Sequence, residues 1–588
     1  KKTVSDSSTV DIAQGGVSMW NYDSILCREG PPVEYTLEGP TNGIFAYEEI
    51  RKKIPGVLIG KVPNSSAPHG NSFIPSPFGA IGKEKLKNIC NKEYRLSMMK
   101  NELRYDTEMC INRIVSPFEV SASNEVMKCF FNISDLKEAI DGMSSFLDTY
   151  VKPCKPLNVN DCLMAFGPYS PVNPSTAATE SVPGKKGNFM SEYQRFDNGD
   201  PLRFLNKEML VAVEETMLRF ALGHIFPGLT KSNLKDELLS KEKVESARTR
   251  IFEAQAFRYY VVNRAIGGNP KVAMSEAMRL LGSCVGINAS SPEWNDVYSK
   301  VELVGEGEVA LELDYNFFDK LMQFYLHVLL SEIRARFYIK CLNLHTRSLD
   351  WDVFVRSMLW NNLIVCRMID GMIVLCYPGN ASGQFDTVDV NDGINILNWF
   401  LVYRKKFPNA TFKDFVRSFC STLNVYGDDV ALKLSSSLAP IFTVDFIISA
   451  MKDIGQRITG GGYYKGELKK TDTITFLKRG FYLPTFPDGK KRVFAPLAMS
   501  SIFKSLLVYK PSGNADLDDN RHFSVLKQAW EEAFLHPPSD RDLIRSVIME
   551  CWKKLPSKFS TFTMVSDNEL LARWDSGNFK VWEINKLM

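Results

Sequence analysis

The segment Leu423-Asn424-Val425-Tyr426-Gly427-Asp428-Asp429-Val430-Ala431-Leu432 sets two adjacent carboxylates between short apolar runs. Gly427 can take a positive φ, so the runs read as two strands joined by a tight turn that projects its acids at one edge of a sheet. Neighbouring carboxylates on a rigid turn suit hard divalent cations, which take oxygen ligands. An ordinary exposed Gly-Asp-Asp turn is the plainer alternative. A second acidic site lies upstream, where the apolar strand Val309 to Leu313 ends at Asp314 and Asp319 follows one helical turn later. If that strand lies beside the Gly427 turn, Asp314 and Asp428 can share metal ions. Taken alone, Asp314 and Asp319 are accounted for by a strand end and a helix N-terminus, where acids favour the dipole.

Two further stretches carry polar groups in useful patterns. Ser382-Gly383-Gln384-Phe385-Asp386-Thr387-Val388-Asp389-Val390-Asn391 is a glycine-containing loop that runs into a helix. Thr387 and Asn391 are four apart and share a helix face, so Ser382, Thr387 and Asn391 could read a sugar. Asp386 or Thr387 could equally be a helix N-cap. Between Lys231 and Arg264 there are eight basic and five acidic residues, among them Lys235, Lys243, Arg248 and Arg250. Interleaved charge of this kind is usually a solvated face. It could also neutralise phosphate oxygens above a triphosphate.

The elements that must position these residues follow from pattern. Helices are expected over Ser134 to Tyr150, Met209 to Phe226, Tyr315 to Asn343 and Asp389 to Tyr403, and through most of the chain beyond Leu497. Leu363 to Ile369 and Met372 to Tyr377 flank Asp370-Gly371, a hairpin signal. The first ~200 residues are rich in Pro, Gly, Ser and Asn and read as a loop-rich region wrapping another domain. The alternation is α+β, without a regular βαβ repeat. Gly60-Lys61 and Gly82-Lys83 resemble a phosphate-binding loop but lack its upstream glycine and following hydroxyl, and read as turns.

Composition narrows the class. The chain has 588 residues, 45% hydrophobic and 24% charged, which excludes collagen-like and wholly disordered classes. Its net charge of +3 neither demands nor forbids a polyanionic partner. The twelve cysteines form no CxxC pair and the six histidines no metal spacing, which favours free thiols in a reducing compartment and argues against zinc. No apolar run approaches the ~20 residues of a membrane span, and Lys1 to Val17 has no signal-peptide core. A soluble intracellular protein is expected.

The order of the pieces is more specific than any one of them. Read as basic segment, Asp-x4-Asp, Ser-Gly-x3-Thr-x3-Asn, Tyr-Gly-Asp-Asp and then Phe476-Leu477-Lys478-Arg479, the chain resembles viral RNA-dependent RNA polymerases of the picornavirus-like group. Lys235 to Ala254, opening Lys-Asp-Glu-Leu and ending Thr-Arg-Ile-Phe-Glu-Ala, is especially similar. The resemblance covers about Ser175 to Arg479. Leu239 departs from it, since an arginine is usual there.

The resemblance implies a closed right hand: N-terminal extension and fingers over 1–266, palm over 267–344 and 379–482, a fingers insertion over 345–378, and a helical thumb over 483–588. It implies that Asp314, Asp428 and Asp429 hold two Mg2+ ions, with Mn2+ able to substitute, for two-metal nucleotidyl transfer. Asp319 and Asn391, with Ser382, Gly383 and Thr387, would recognise the ribose 2′-hydroxyl. Lys235, Lys243, Arg248 and Arg250 would meet the triphosphate. Lys478 and Arg479 would grip the primer, and Ser175 and Thr176 would guide the template. Lys465, after Gly460-Gly461-Gly462, is the expected general acid, with Lys469 and Lys470 as rivals. Lys490-Lys491-Arg492 reads as a solvated turn. Implied partners are template and product RNA, nucleoside triphosphates, a small genome-linked viral protein as primer and other viral replication proteins. The implied setting is host cytoplasm at membrane-associated replication complexes. A reverse transcriptase and a non-catalytic RNA-binding scaffold are the rival readings; Asp319 and Asn391 argue against the first and the complete acid set against the second.

Overall fold

The computed structural model describes residues 57–61, 72–97, 132–167, 169–178, 184–194, 201–225, 228–245, 249–316, 318–345, 350–363, 365–369, 372–376, 379–465, 474–560 and 562–579. At its centre lies an antiparallel sheet of four strands in the order Leu423–Tyr426, Asp429–Leu434, Val309–Tyr315, Ile458–Lys465. Side-chain alternation assigns its two faces. Val309, Leu311, Leu313 and Tyr315 join Val430, Leu432 and Leu434 in the main core, with residues of the helices Thr387–Lys406 and Val444–Asp453. Ala310 and Ala431 point the other way, into a smaller cluster with Trp294, Phe476 and Phe481.

The stretch expected as one helix from Tyr315 to Asn343 is divided. Tyr315 ends a strand, Phe318–Leu321 is a short helix, and the long helix is Phe324–Asn343. The break has a hydrogen-bonding cause. Gln323 Nε2 and Gln456 Nε2 both donate to the Leu321 carbonyl, at 3.0 and 3.1 Å, and Gly379 N–H donates to that of Met322. Those carbonyls are then unavailable for a continuing helix.

A second sheet of five strands contains Val57–Lys61, Met372–Cys376, Val365–Ile369, Gly228–Leu234 and Ile251–Gln255, in that order. Ile369 pairs with Met372, the register a two-residue hairpin requires; the expected Asp370-Gly371 turn itself lies outside the described residues. Arg367 crosses to Glu253 at 3.1 Å in a fully buried ion pair. Gly60-Lys61 belongs to a strand of this sheet, and Gly82-Lys83 lies inside the helix Gly79–Asn88. The expectation of turns at both places is therefore corrected: a Cβ on Gly82 would come within 3.0–3.1 Å of Leu506 and Leu507, so that glycine serves close packing.

The C-terminal part is helical, with Ala515–Ala533 packed against Pro538–Trp552. Its core includes Leu526, Ala529, Ile544 and Ile548, together with Phe78, Ile81 and Leu86 from the beginning of the described chain. Pro75 pairs with Val508, and Leu96 pairs with Leu238. The segment 72–97 thus links the C-terminal helices to the basic segment. Among the described residues no helix is long and apolar enough to cross a membrane.

Arg479 ties the central region to those helices. Its guanidinium is buried and donates from both Nη atoms to Glu532, at 2.8 and 3.1 Å, and to the Ala495 carbonyl. Removing one member of such a pair strands the other charge in a dry site. Glu532→Ala is therefore expected to lower unfolding free energy by about 3–5 kcal/mol, with Arg479→Met/Glu532→Leu recovering most of the loss. Chemical denaturation of the two variants checks this.

Candidate active site

The register of the central sheet brings the acids together. Asp429 is the cross-strand partner of Asp314, and the pair shares the face that carries Ala310 and Ala431. Directly opposed residues on antiparallel strands have Cβ atoms about 4.5–5.5 Å apart. Asp428 occupies the two-residue turn between Tyr426 and Asp429, with Gly427 at φ +62°. Nothing lies within 4 Å of where a Cβ on Gly427 would be, so the dihedral rather than space calls for glycine. Burial first, then the Asp314 and Asp319 charges, raise the Asp428 carboxyl above the usual range. Asp429 is pushed up to about 6 by burial, Asp428 and Asp314, against the opposing charge of Lys478. Among the described residues no three carboxylate, thiol or imidazole groups are drawn to ligating distance.

A clamp that the sequence analysis missed fixes the turn. Gly427 N–H donates to Asp392 Oδ1 at 2.5 Å, and Asn395 Nδ2 donates to the Gly427 carbonyl at 2.8 Å. Ser283 Oγ donates to the other oxygen of Asp392 at 2.5 Å, and Tyr315 Oη to Asn395 Oδ1 at 2.9 Å. Asp392 is buried, which pushes its carboxyl up to about 8. The available signal was an acid one position beyond Asn391, just before the apolar middle of the helix Thr387–Lys406.

The sugar-reading candidates lie in and beside the loop before that helix. Gly383 passes so close to the chain that a Cβ would sit 1.7 Å from the Glu253 carbonyl oxygen. Glu253 N–H donates to Ser382 Oγ at 3.1 Å, and Thr387 Oγ1 donates to the Ala381 carbonyl at 2.9 Å. Both hydroxyls therefore fasten the loop. Asp386 stands at the N-cap position but makes no capping bond; its buried carboxylate pairs with Arg334. Asn380, also missed, joins Asp319 to Asn391: its N–H donates to the Asp319 carbonyl at 2.8 Å, and its Nδ2 to Asn391 Oδ1 at 2.9 Å.

Cations face the acids. Arg250 pairs with Glu237 and feels the charges of Asp428 and Asp319. Lys235 lies 3.7 Å from the same Glu237. Lys243 is exposed on the short helix Lys241–Glu245, and Arg248 lies outside the described residues. Lys478 acts on Asp429 from a turn with φ +56° at Leu477 and +61° at itself. Phe476 and Arg479 exchange both backbone hydrogen bonds across that turn. Two consecutive non-glycine residues in this region are strained.

Several expectations are corrected by placement. Arg479 does not offer its guanidinium to a primer, because Glu532 and Ala495 occupy it. Arg492 is buried between Asp488 and Asp575 instead of standing in a solvated turn, and Lys491 bridges to Glu302. Lys465 pairs with Val309, whereas Thr459 pairs with Asp314. Five residues separate Val309 from Asp314 along that strand, about 17 Å, so the Lys465 backbone is too distant for a proton donor at the acids. Lys469 and Lys470 lie outside the described residues. Ser175 and Thr176 are exposed in a turn closed by Asn173, which accepts from Ser175 N–H and Oγ at 2.9 and 2.7 Å.

The chain is similar to known proteins in sequence and in fold. Residues 136–544 match the family model of viral RNA-dependent RNA polymerases. The RNA1 polyprotein of tomato ringspot virus is 30% identical over 287 residues, 48% of this chain and 12% of the polyprotein. The genome polyprotein of human hepatitis A virus is 25% identical over 311 residues, 51% of this chain and 12% of the polyprotein. The chain's match thus spans about an eighth of the length of these relatives. Among solved structures, a sicinivirus 3Dpol RNA-dependent RNA polymerase superposes with a TM-score of 0.65 at 16% identity, covering 89% of this chain and 99% of that one. The chain belongs to the viral RNA-dependent RNA polymerase family and has the right-hand fold of its picornavirus-like members.

Proposed function

We propose that this chain copies an RNA template by adding nucleoside triphosphates to a primer 3′ end, with Asp314, Asp428 and Asp429 holding divalent metal. The observation that carries this reading is the register that sets Asp429 against Asp314 beside Asp428, with Arg250 and Lys478 acting on the same acids. The donor set fits the metal: all three side chains would offer hard carboxylate oxygens, and burial and the charges of the neighbouring acids hold Asp428 and Asp429 above their usual range. Two Mg2+ ions, or Mn2+ in their place, would sharpen the nucleophile and neutralise charge on the transferring phosphate.

The chain's own residues do the rest. Arg250 and Lys478 meet negative charge that moves onto the leaving pyrophosphate as the α–β anhydride breaks and the 3′-oxygen bonds to the α-phosphorus. Asp319 and Asn391, joined through Asn380, read the 2′-hydroxyl, and Ser382, Gly383 and Thr387 shape the loop beside them. Lys243 and Arg248 extend the basic segment, and Ser175 and Thr176 stand towards the template. No proton donor is assigned. The domain limits proposed are 1–266, 267–344, 345–378, 379–482 and 483–588. Priming by a small genome-linked viral protein, work alongside other viral replication proteins, and action in host cytoplasm at membrane-associated complexes follow from the polyprotein relatives by analogy only.

Primer extension tests the reading. The purified chain should extend an RNA primer with ribonucleotides in Mg2+ or Mn2+ and stop with chelator. Asp428→Ala should cut synthesis by at least about 10²-fold while leaving primer–template affinity intact. Unchanged synthesis rejects the metal assignment, and preferred use of deoxyribonucleotides would favour a reverse transcriptase.

Asn391→Ala should narrow ribo- over deoxyribonucleotide discrimination by about tenfold or more, because a site built to bond a hydroxyl loses its partner. Competing nucleotide pairs in single-addition kinetics measure it. Asp392→Ala removes the acceptor for Gly427 N–H, so kcat should fall by about tenfold with KM for nucleotide little changed. Asp392→Asn keeps one carbonyl oxygen for that N–H and should recover part of the rate.

A further inference from the structure

Lys504 closes the six-residue helix Met499–Lys504, in a stretch to which no motif assigns chemistry. Its ammonium lies 5.5 Å from the ring centre of Tyr94, and the Tyr94–Leu96 strand pairs with Leu238–Ser240 of the basic segment. Ala498 N–H donates to the Lys478 carbonyl at 2.9 Å, so the Lys478 turn and the start of this helix are fastened together. Lys235 N–H donates to the Arg250 carbonyl at 2.8 Å. Three separate parts of the chain therefore converge their cations on one place.

We propose that Lys504 is a phosphate-binding residue of the nucleotide site. With Lys235, Arg250 and Lys478 it forms a cradle for the distal phosphates of the incoming triphosphate and for the pyrophosphate released from it. The proposal rests on the polymerase reading above and adds a residue from the C-terminal part to it.

Charge is the first argument. The groups acting on Lys504 are Lys478, Glu237, Arg250 and Lys235, three cations and one carboxylate. That carboxylate is already shared by Arg250 and Lys235. Among the described residues no carboxylate lies within ion-pair distance of Lys478 or Lys504. Burial and the neighbouring cations push the Lys504 ammonium below its usual range. Lys504 is half-buried and the other three cations are exposed, and like charges gathered in this way are unfavourable until an anion joins them.

Direction is the second. Arg250 and Lys478 sense the acids, whereas Lys235 and Lys504 sense Glu237 and the other cations. A triphosphate whose α-phosphate meets the acids needs further cations beyond them. Its distal phosphates then reach Lys235 and Lys504.

The test uses the full chain, a primer–template RNA, one nucleotide and inorganic pyrophosphate. Lys504→Met should raise KM for the nucleotide, and the pyrophosphate needed for half-inhibition, each about tenfold, with kcat within about twofold. Lys504→Arg should stay near the parent. Independently of any variant, pyrophosphate should shield Lys504 of the parent chain from amine acetylation, read by peptide mass spectrometry, where chloride of equal ionic strength does not. Unmoved KM and pyrophosphate inhibition, or equal labelling with and without pyrophosphate, overturns the proposal. So does weakened RNA affinity with unmoved KM, which would make Lys504 an RNA contact. A parent chain that makes no RNA but shows the shielding refutes the polymerase reading and leaves the anion site standing.

Discussion

Asp314 and Asp429 stand across from one another on paired strands, with Asp428 beside them on the turn. Like charges brought to one place repel, and a partly buried setting screens them less than water does. Burial sharpens that repulsion, and much of the surrounding structure can be understood as holding it in place. The strand Val309–Tyr315 is internal to its sheet, anchored by four alternating side chains in the main core. The turn cannot swing away, because Asp392 and Asn395 take both of the Gly427 backbone groups. The acids thus stay together through backbone register and a buried clamp, and a bound cation would gain the relief of their repulsion.

Much of this was legible in the residues. Alternation around Asp314 and Gly427-Asp428-Asp429 announces strands and a turn, and the structure has them where the pattern puts them. What escaped the sequence is whatever depends on partners distant in the chain. Asp392 and Asn395 look like polar blemishes in a helix until Gly427 lies against them. The interruption at Met322 and Gln323 is imposed by Gln456 and Gly379, far away in sequence. Arg479 was expected at the primer and Arg492 in a solvated turn; their carboxylate partners, Glu532 and Asp575, come from helices more than 50 residues downstream. Lys465 was expected at the acids because it follows Gly460-Gly461-Gly462, but that run belongs to an antiparallel strand that carries the chain steadily away from them.

Arg479 also explains how the neighbouring lysine is held. Leu477 and Lys478 both adopt positive φ, a conformation that costs about 1–3 kcal/mol per residue. The buried bidentate pair on Arg479, the cross-turn backbone bonds to Phe476 and the Ala498 N–H on Lys478 over-determine the turn. The strain is offset locally, and the lysine it directs acts on Asp429. The basic pair therefore divides its labour: the buried arginine fixes the turn, and the charge of the lysine acts on Asp429.

A net charge of +3 conceals a steep internal separation. Asp314, Asp319, Asp428 and Asp429 gather on one side, while Lys235, Arg250, Lys478 and Lys504 gather on the other. Neither group is neutralised within itself, so each is held by neighbouring structure rather than by its own members. The cationic side depends on closure of the molecule, because Lys235 and Arg250 come from the basic segment and Lys478 and Lys504 from later parts of the chain. The segment 72–97 bridges them by pairing Pro75 with Val508 and Leu96 with Leu238. Loosening that bridge would separate cations that repel one another, whereas a polyphosphate between them would draw them together. On the proposed anion site, closure and polyphosphate binding would favour one another through the same charges.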